Sequence, residues 1–265
     1  MYNFLVNYTG SKYHELKDFF FENSEIIEEI KNKKYKKIIE PYGGTFGFIR
    51  VLNHVYNLEN VKYEVYDINQ DLINLYLYIQ NLSLDEYIKF IDDYNKKIKL
   101  IRENCMMSND KHIDNKKFNE FIKTIDFINT HQDFLLKNNV CRGAFSSAYC
   151  KKIEEEDFYL IKKIKFILGS CDVKPEKETL YYFDPPYISS SKINNYNCDY
   201  LVDNKTIHET IKNLVESNNI NFIFNHETNF LLDIAFKQCK KIEYSKLYYF
   251  TKKRCMTSFF YIFGD

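Results

Sequence analysis

Proline and glycine are scarce, at four and seven in 265 residues, which excludes collagen-like and Pro/Gly low-complexity chains. Net charge is also lacking, because 37 basic residues face 37 acidic ones. No bulk charge announces a nucleic-acid partner, and any basic surface must be local. The seven cysteines are odd in number and none forms a CxxC pair, so reduced thiols are expected rather than a disulfide scaffold. None of the six histidines stands at metal-ligand spacing from another, and no metal site is expected. The apolar runs are too short to cross a bilayer, so no membrane partner is expected. The first twenty residues carry Lys12, His14, Glu15, Lys17 and Asp18 and have no signal-peptide core, which points to an intracellular protein. What is abundant is aromatic: 23 tyrosines and 23 phenylalanines in a chain that is 45% hydrophobic and 28% charged. That is the composition of a folded globular protein of one or two domains.

Apolar spacing predicts a helix from Lys12 to about Lys31, then a short strand Lys36–Glu40 and a turn cluster, PYGGTFG. Helix Phe48–Tyr56, strand Val61–Asp67 and helix Asn69–Gln80 follow. This strand–turn–helix–strand–helix order marks a parallel sheet with crossover helices. From Asn81 to Lys177 the pattern is charged and helical, with helices expected over Asp85–Arg102, Lys116–Ile128 and Glu154–Leu168 and no convincing strand. Strand character returns at Thr179–Phe183 and Ile220–Asn225, with helices near Lys205–Ser217 and Phe230–Gln238. A terminal hairpin is expected from Lys241–Phe250 and Thr257–Phe263. The expected organisation is an α/β domain formed by residues 1–80 and 178–265, interrupted by a mostly helical insertion at 81–177.

Three predicted strands each end in an acid: Glu40, Asp67 and Asp184. In an open α/β sheet, ligands bind in the crevice beyond the carboxyl ends of the strands. Glu40 leads into Pro41-Tyr42-Gly43-Gly44, where paired glycines permit a sharp turn and close ligand approach. Phe46 breaks a GxGxxG spacing, and no GK[ST] follows, so neither a dinucleotide fingerprint nor a phosphate loop is present. Asp67 stands where a nucleoside ribose is gripped in such folds. The sharpest motif is Asp184-Pro185-Pro186-Tyr187. Two prolines fix the backbone and donate nothing. The Asp carboxylate and a proline carbonyl can then accept both N–H groups of an exocyclic amine, and Tyr187 offers a flat face to its ring. Basic pairs and triplets at Lys151-Lys152, Lys162-Lys163 with Lys165, Lys240-Lys241 and Lys252-Lys253-Arg254 are candidate phosphate contacts, with Arg142 nearby in sequence. Asn225-His226, after a strand, is expected to form a turn.

In order, YTGSK (8–12), EPYGG (40–44), DIN (67–69) and DPPY (184–187) resemble the motif series of the Dam-type, D12-class DNA adenine-N6 methyltransferases, over nearly the whole chain. The resemblance implies a class I methyltransferase (Rossmann-like) sheet with a helical target-recognition insertion. It implies S-adenosylmethionine as cofactor, contacted by Tyr8, Lys12, Glu40, Pro41, Tyr42, Gly43, Gly44, Asp67, Asn69 and Asp184. It implies a catalytic set of Asp184, Pro185, Pro186 and Tyr187 that methylates a flipped adenine in double-stranded DNA. Arg142, Lys151 and Lys152 would lie on the nucleic acid. The expected activity is site-specific methylation of the restriction–modification type. Departures from the family pattern are Tyr42 for the usual Phe, Phe46 where a small residue is common, and only the first part of the insert's G-x-F-N-x-P-x-G stretch at Gly143–Tyr149. The alternatives are an RNA adenine methyltransferase and a non-catalytic partner subunit with the pocket filled by Phe46. A nicotinamide oxidoreductase is disfavoured by the missing GxGxxG.

Overall fold

A computed structural model describes residues 4–6, 12–33, 35–58, 60–105, 114–124, 129–140, 150–185, 204–217, 220–227, 229–249 and 253–263. In chain order the elements are α1 (Tyr13–Glu22), α2 (Ser24–Lys33), β1 (Lys37–Glu40), α3 (Gly47–His54), β2 (Lys62–Asp67), α4 (Gln70–Asn81), α5 (Leu84–Cys105) and α6 (Asn115–Phe121). A 3-10 turn (Ile122–Thr124), α7 (Thr130–Val140), α8 (Glu155–Lys163), β3 (Ile164–Leu168), β4 (Thr179–Phe183), α9 (Asn204–Glu216), β5 (Asn221–Glu227), α10 (Phe230–Ala235), β6 (Lys240–Tyr249) and β7 (Lys253–Phe263) complete the described elements.

The chain divides into two compact units: one of Lys12–Asn69, Lys163–Asn194 and Cys198–Asp265, the other of Met1–Ser11, Gln70–Lys162 and Asn195–Asn197. The first unit holds a seven-stranded sheet in the order β3-β2-β1-β4-β5-β7-β6. Strands β3, β2, β1, β4 and β5 are parallel, and β7 runs antiparallel to both β5 and β6. It is an α/β fold of Rossmann-like character, with the strand order reversing between β1 and β4. The β4 strand, TLYYF, is buried at every position, as a central parallel strand covered on both faces must be. Alternate residues divide the core. Tyr181, Phe183, Phe222 and Phe224 pack with Leu214 of α9 and Leu232 of α10. On the opposite face, Tyr182 stacks on Phe48 of α3 at 4.5 Å, and Phe19 of α1 stacks on Phe260 at 3.8 Å.

Several boundaries differ from expectation. The single helix expected over Lys12–Lys31 is two, divided at Asn23, whose backbone N–H and side-chain amide both donate to the Phe19 carbonyl. The helix expected to reach Leu168 stops at Lys163, and Ile164–Leu168 forms an edge strand paired with β2. The helical stretch is therefore not free of strands. Asn225 and His226 do not turn; they continue β5 and are fully buried. Helix α7 lies where none was expected.

The second unit is helical among its described residues. Helix α5 begins at a capping box: Ser83 Oγ accepts from the Glu86 N–H, and the Ser83 N–H donates to Glu86 Oε2 at 2.7 Å. Its core includes Tyr76, Tyr87, Phe90, Ile91, Tyr94 and Ile98. Residues 4–6 belong to this unit rather than to the sheet. The Leu5 carbonyl accepts from Asn139 Nδ2 at 3.2 Å, and the Phe4 carbonyl from Lys151 Nζ at 2.9 Å.

Candidate functional site

Parallel pairing fixes where the three acids go. β1 is flanked by β2 and β4, so Glu40 and Asp67 end adjacent strands and Asp184 directly follows the third. All three therefore lie at one edge of the sheet, around its switch point.

The turn after β1 is built by close backbone approach. The Gly43 N–H donates to the Tyr66 carbonyl at 2.8 Å, and a Cβ on Gly43 would fall 2.2 Å from Val65 Cγ1. Gly44 has φ +47°, and its N–H donates to Asp67 Oδ2 at 2.8 Å. The Asn69 N–H donates to Asp67 Oδ1 at the same distance. Asp67 thus ties the glycine turn to its own strand end while each oxygen retains acceptor capacity. Burial raises its carboxyl pKa, opposed by the Asn69 and Gly44 N–H groups. Gly43→Ala is expected to cost about 1–3 kcal/mol through overpacking against Val65, measured by denaturant unfolding.

Glu40 turns back over its own loop. Its Oε1 accepts from the Ile49 N–H at 2.7 Å in the first turn of α3, where the helix dipole favours an anion. The residue is only 2% exposed, and burial pushes its carboxyl well above the usual range; the Asp184 charge adds to this, while the Ile49 N–H and Arg50 oppose it. Glu40 is therefore engaged in shaping the turn. Phe46 holds a left-handed φ of 39° and is fully buried, with its ring edge-on to Phe166 of β3 at 5.6 Å. Pro41 is buried, and the Tyr42 hydroxyl lies 3.2 Å from Thr210 Oγ1 of α9.

Asp184 is surrounded by polar groups. Its Oδ1 accepts from Asn225 Nδ2 at 3.2 Å. Lys12 and Glu15, both buried, form an ion pair at 3.1 Å, and both charges act on Asp184. Burial lifts the Asp184 carboxyl to about 7; Glu15 adds to this, while Lys12 and Asn225 oppose it. The Tyr182 hydroxyl is pushed up chiefly by burial and then by the charges of Asp184, Glu15 and Glu40. Among the described residues, Lys12, Glu15 and Arg50 carry charge beside Glu40 and Asp184, and burial favours the neutral form of both of those carboxyls.

The raised Asp184 pKa has a consequence for stability. The folded state keeps its proton where the unfolded chain, at 3.8, has lost it. Its favourable contribution is full below the unfolded value and is lost as pH rises through about 7. Thermal midpoints of wild type and Asp184→Asn should therefore diverge from about pH 4 to about pH 8, with the wild type falling behind.

Of the expected site residues, Lys12, Glu40, Pro41, Tyr42, Gly43, Gly44, Asp67, Asn69, Asp184 and Pro185 belong to the sheet unit. Tyr8, Arg142, Pro186, Tyr187 and the stretch 143–149 lie outside the described residues. Lys151 corrects an expectation. It is 3% exposed and its ammonium is used on the Phe4 carbonyl, so it is an internal strut rather than part of a basic face; Lys152 is exposed. Other basic clusters spend charge locally: Lys165 pairs with Glu64, Lys240 with Glu25 and Lys241 with Asp233. Glu15, Arg50 and Tyr182 escaped the sequence reading as site residues, and Asn225 was expected only to form a turn. Asn225 carried the same strand-end signal as the three acids, and Glu15 stands one helical turn from Lys12.

Comparison with protein-family models and with curated proteins found no match to this chain. Among the described residues no cluster of His, Cys, Asp and Glu could hold a metal ion, and no helix is long and apolar enough to cross a membrane.

Proposed function

We propose that this chain is an S-adenosylmethionine-dependent adenine-N6 methyltransferase with a class I methyltransferase sheet, acting on DNA. The observation that carries the proposal is the placement of Asp184. It stands at the switch-point edge beside the Asp67–Gly44 turn, with Lys12, Glu15, Glu40 and Asn225 around it. The motif order and this placement support the same reading independently. The antiparallel β7, which separates β5 from β6, departs from the all-parallel order of the nicotinamide dinucleotide fold and weighs against an oxidoreductase.

S-adenosylmethionine, when bound, supplies an electrophilic methyl group on a cationic sulfur. Asp67 would hold the ribose hydroxyls through its remaining lone pairs, with Gly43 and Gly44 allowing close approach. Asp184, when ionised, would favour the cationic sulfonium. Asp184 and the Pro185 carbonyl would each accept one N–H of the target amine, leaving the nitrogen lone pair directed at the methyl. A carboxylate at Asp184 can also take the proton that the amine sheds. Tyr187 would stack on the flipped base, a contact worth roughly 1–3 kcal/mol against an extrusion cost of a few kcal/mol. Positioning supplies most of the rate, as expected for an already reactive donor.

The test is nucleoside mass spectrometry of DNA and RNA incubated with the protein and methyl-labelled cofactor. N6-methyl-2′-deoxyadenosine supports the proposal. Label only in RNA moves the substrate class, and cofactor binding without any methylated nucleoside rejects the activity.

A further inference from the structure

We infer that Asn225 is a positioning residue for Asp184, holding one carboxylate oxygen so that the other faces the target amine. This rests on the methyl-transfer reading above. The register of the sheet makes the contact. Phe183 of β4 is paired with Phe224 of β5, so the next residues along, Asp184 and Asn225, fall side by side on the same face. Asn225 Nδ2 donates to Asp184 Oδ1 at 3.2 Å and lies 3.5 Å from the Tyr182 hydroxyl. On its other side Asn225 pairs with Phe260 of β7, which is fully buried.

The other end of the amide is informative. Asn225 is fully buried, and among the described residues its Oδ1 has no hydrogen-bond partner. An amide carbonyl buried without a donor is costly, whereas leucine has nearly the same shape and carries no such cost. Packing alone would favour an apolar residue beside Phe260. What the amide adds is its NH2, and that group is spent on Asp184. Asparagine also donates without bringing charge, unlike aspartate, which would add an anion beside Glu15, Glu40 and Asp184. One fixed oxygen leaves the second at a defined angle, and an amine that must direct its lone pair needs that definition.

Among the described residues, the groups facing Asp184 are Lys12 at the start of α1, Glu15 from α1, Glu40 from β1 with Arg50 of α3 beside it, Tyr182 from β4 and Asn225 from β5. Among the described residues, Asn225 is the hydrogen-bond donor to Asp184. The experiment is Asn225→Leu in the full chain, read in two ways. The first is a carbon-13 NMR titration of the labelled Asp184 carboxyl, assigned by loss of its signal in Asp184→Asn and recorded without cofactor. The midpoint should rise by roughly half a pH unit or more, because a donor to the charged form is lost. The second is single-turnover transfer, expected to slow about 10- to 100-fold. The KM for cofactor should stay within about twofold of wild type, as uniform binding is untouched. If Asn225→Leu does not fold, Asn225→Asp keeps the shape and should raise the midpoint further through like charge. An unchanged midpoint, or unchanged transfer with a wild type that methylates, overturns the positioning role. A raised midpoint in a protein whose wild type methylates nothing upholds the Asp184–Asn225 coupling and rejects the methyl-transfer reading instead.

Discussion

Asp184→Ala should lower single-turnover methyl transfer by roughly two to four orders of magnitude, with the protein still folded. In the proposed mechanism the carboxylate is the acceptor that orients the amine, and alanine offers none. Survival of the fold follows from the same environment. Burial raises the Asp184 pKa to about 7, so near neutrality the ionised group opposes folding rather than supporting it. Its removal leaves Asn225 Nδ2 without this acceptor, although the amide keeps the Tyr182 hydroxyl within 3.5 Å. Circular dichroism and a thermal melt would establish folding beside the transfer assay. Full transfer by the folded variant would remove Asp184 from the mechanism. Tyr187→Phe should be milder than Tyr187→Ala in the same assay, since the stacking face is retained.

Asp67→Ala should weaken S-adenosylmethionine binding by roughly one to two orders of magnitude, measured by calorimetric titration. Each charge-assisted hydrogen bond to ribose is worth roughly 1.5–3 kcal/mol, and about 1.4 kcal/mol is tenfold in affinity. A second effect adds to this. The Gly44 and Asn69 N–H groups each lose a 2.8 Å partner, so the glycine turn loosens and thermal stability should fall as well. Asp67→Asn separates the two, because its carbonyl oxygen can still accept one of those N–H groups while the charge is gone. Wild-type affinity in both variants would place the cofactor elsewhere.

Much of the site edge was legible because strands end abruptly in acids. KIIE, VKYEVYD and TLYYFD each stop at a carboxylate, and a parallel sheet brings such ends together whatever their separation in sequence. The glycine turn was legible for a similar local reason, since adjacent glycines mark close approach. Strand β3 was not. Ile161, Ile164 and Leu168 satisfy helical spacing, while Ile164, Phe166 and Leu168 satisfy strand alternation. Pairing with β2 decided between them, and no local signal contains that partner. Lys151 shows the same limit from the other side. Beside Lys152 it reads as half of a basic patch, yet its ammonium lies inside, on the carbonyl of Phe4, distant in sequence.

The sequence alone determined the α/β alternation, the acids at the strand ends, the glycine turn and the Asp-Pro-Pro-Tyr motif. These follow from short-range rules: side-chain periodicity, backbone freedom at glycine and its loss at proline. Only the tertiary structure decided that β3 completes the parallel sheet, that residues 4–6 join the helical unit, and that Lys12, Glu15 and Asn225 converge on Asp184. Those outcomes depend on which strands pair, in what register, and on which buried polar group finds which partner. Such pairings are set by contacts between residues far apart in the chain, and water is excluded from them only once the chain has folded.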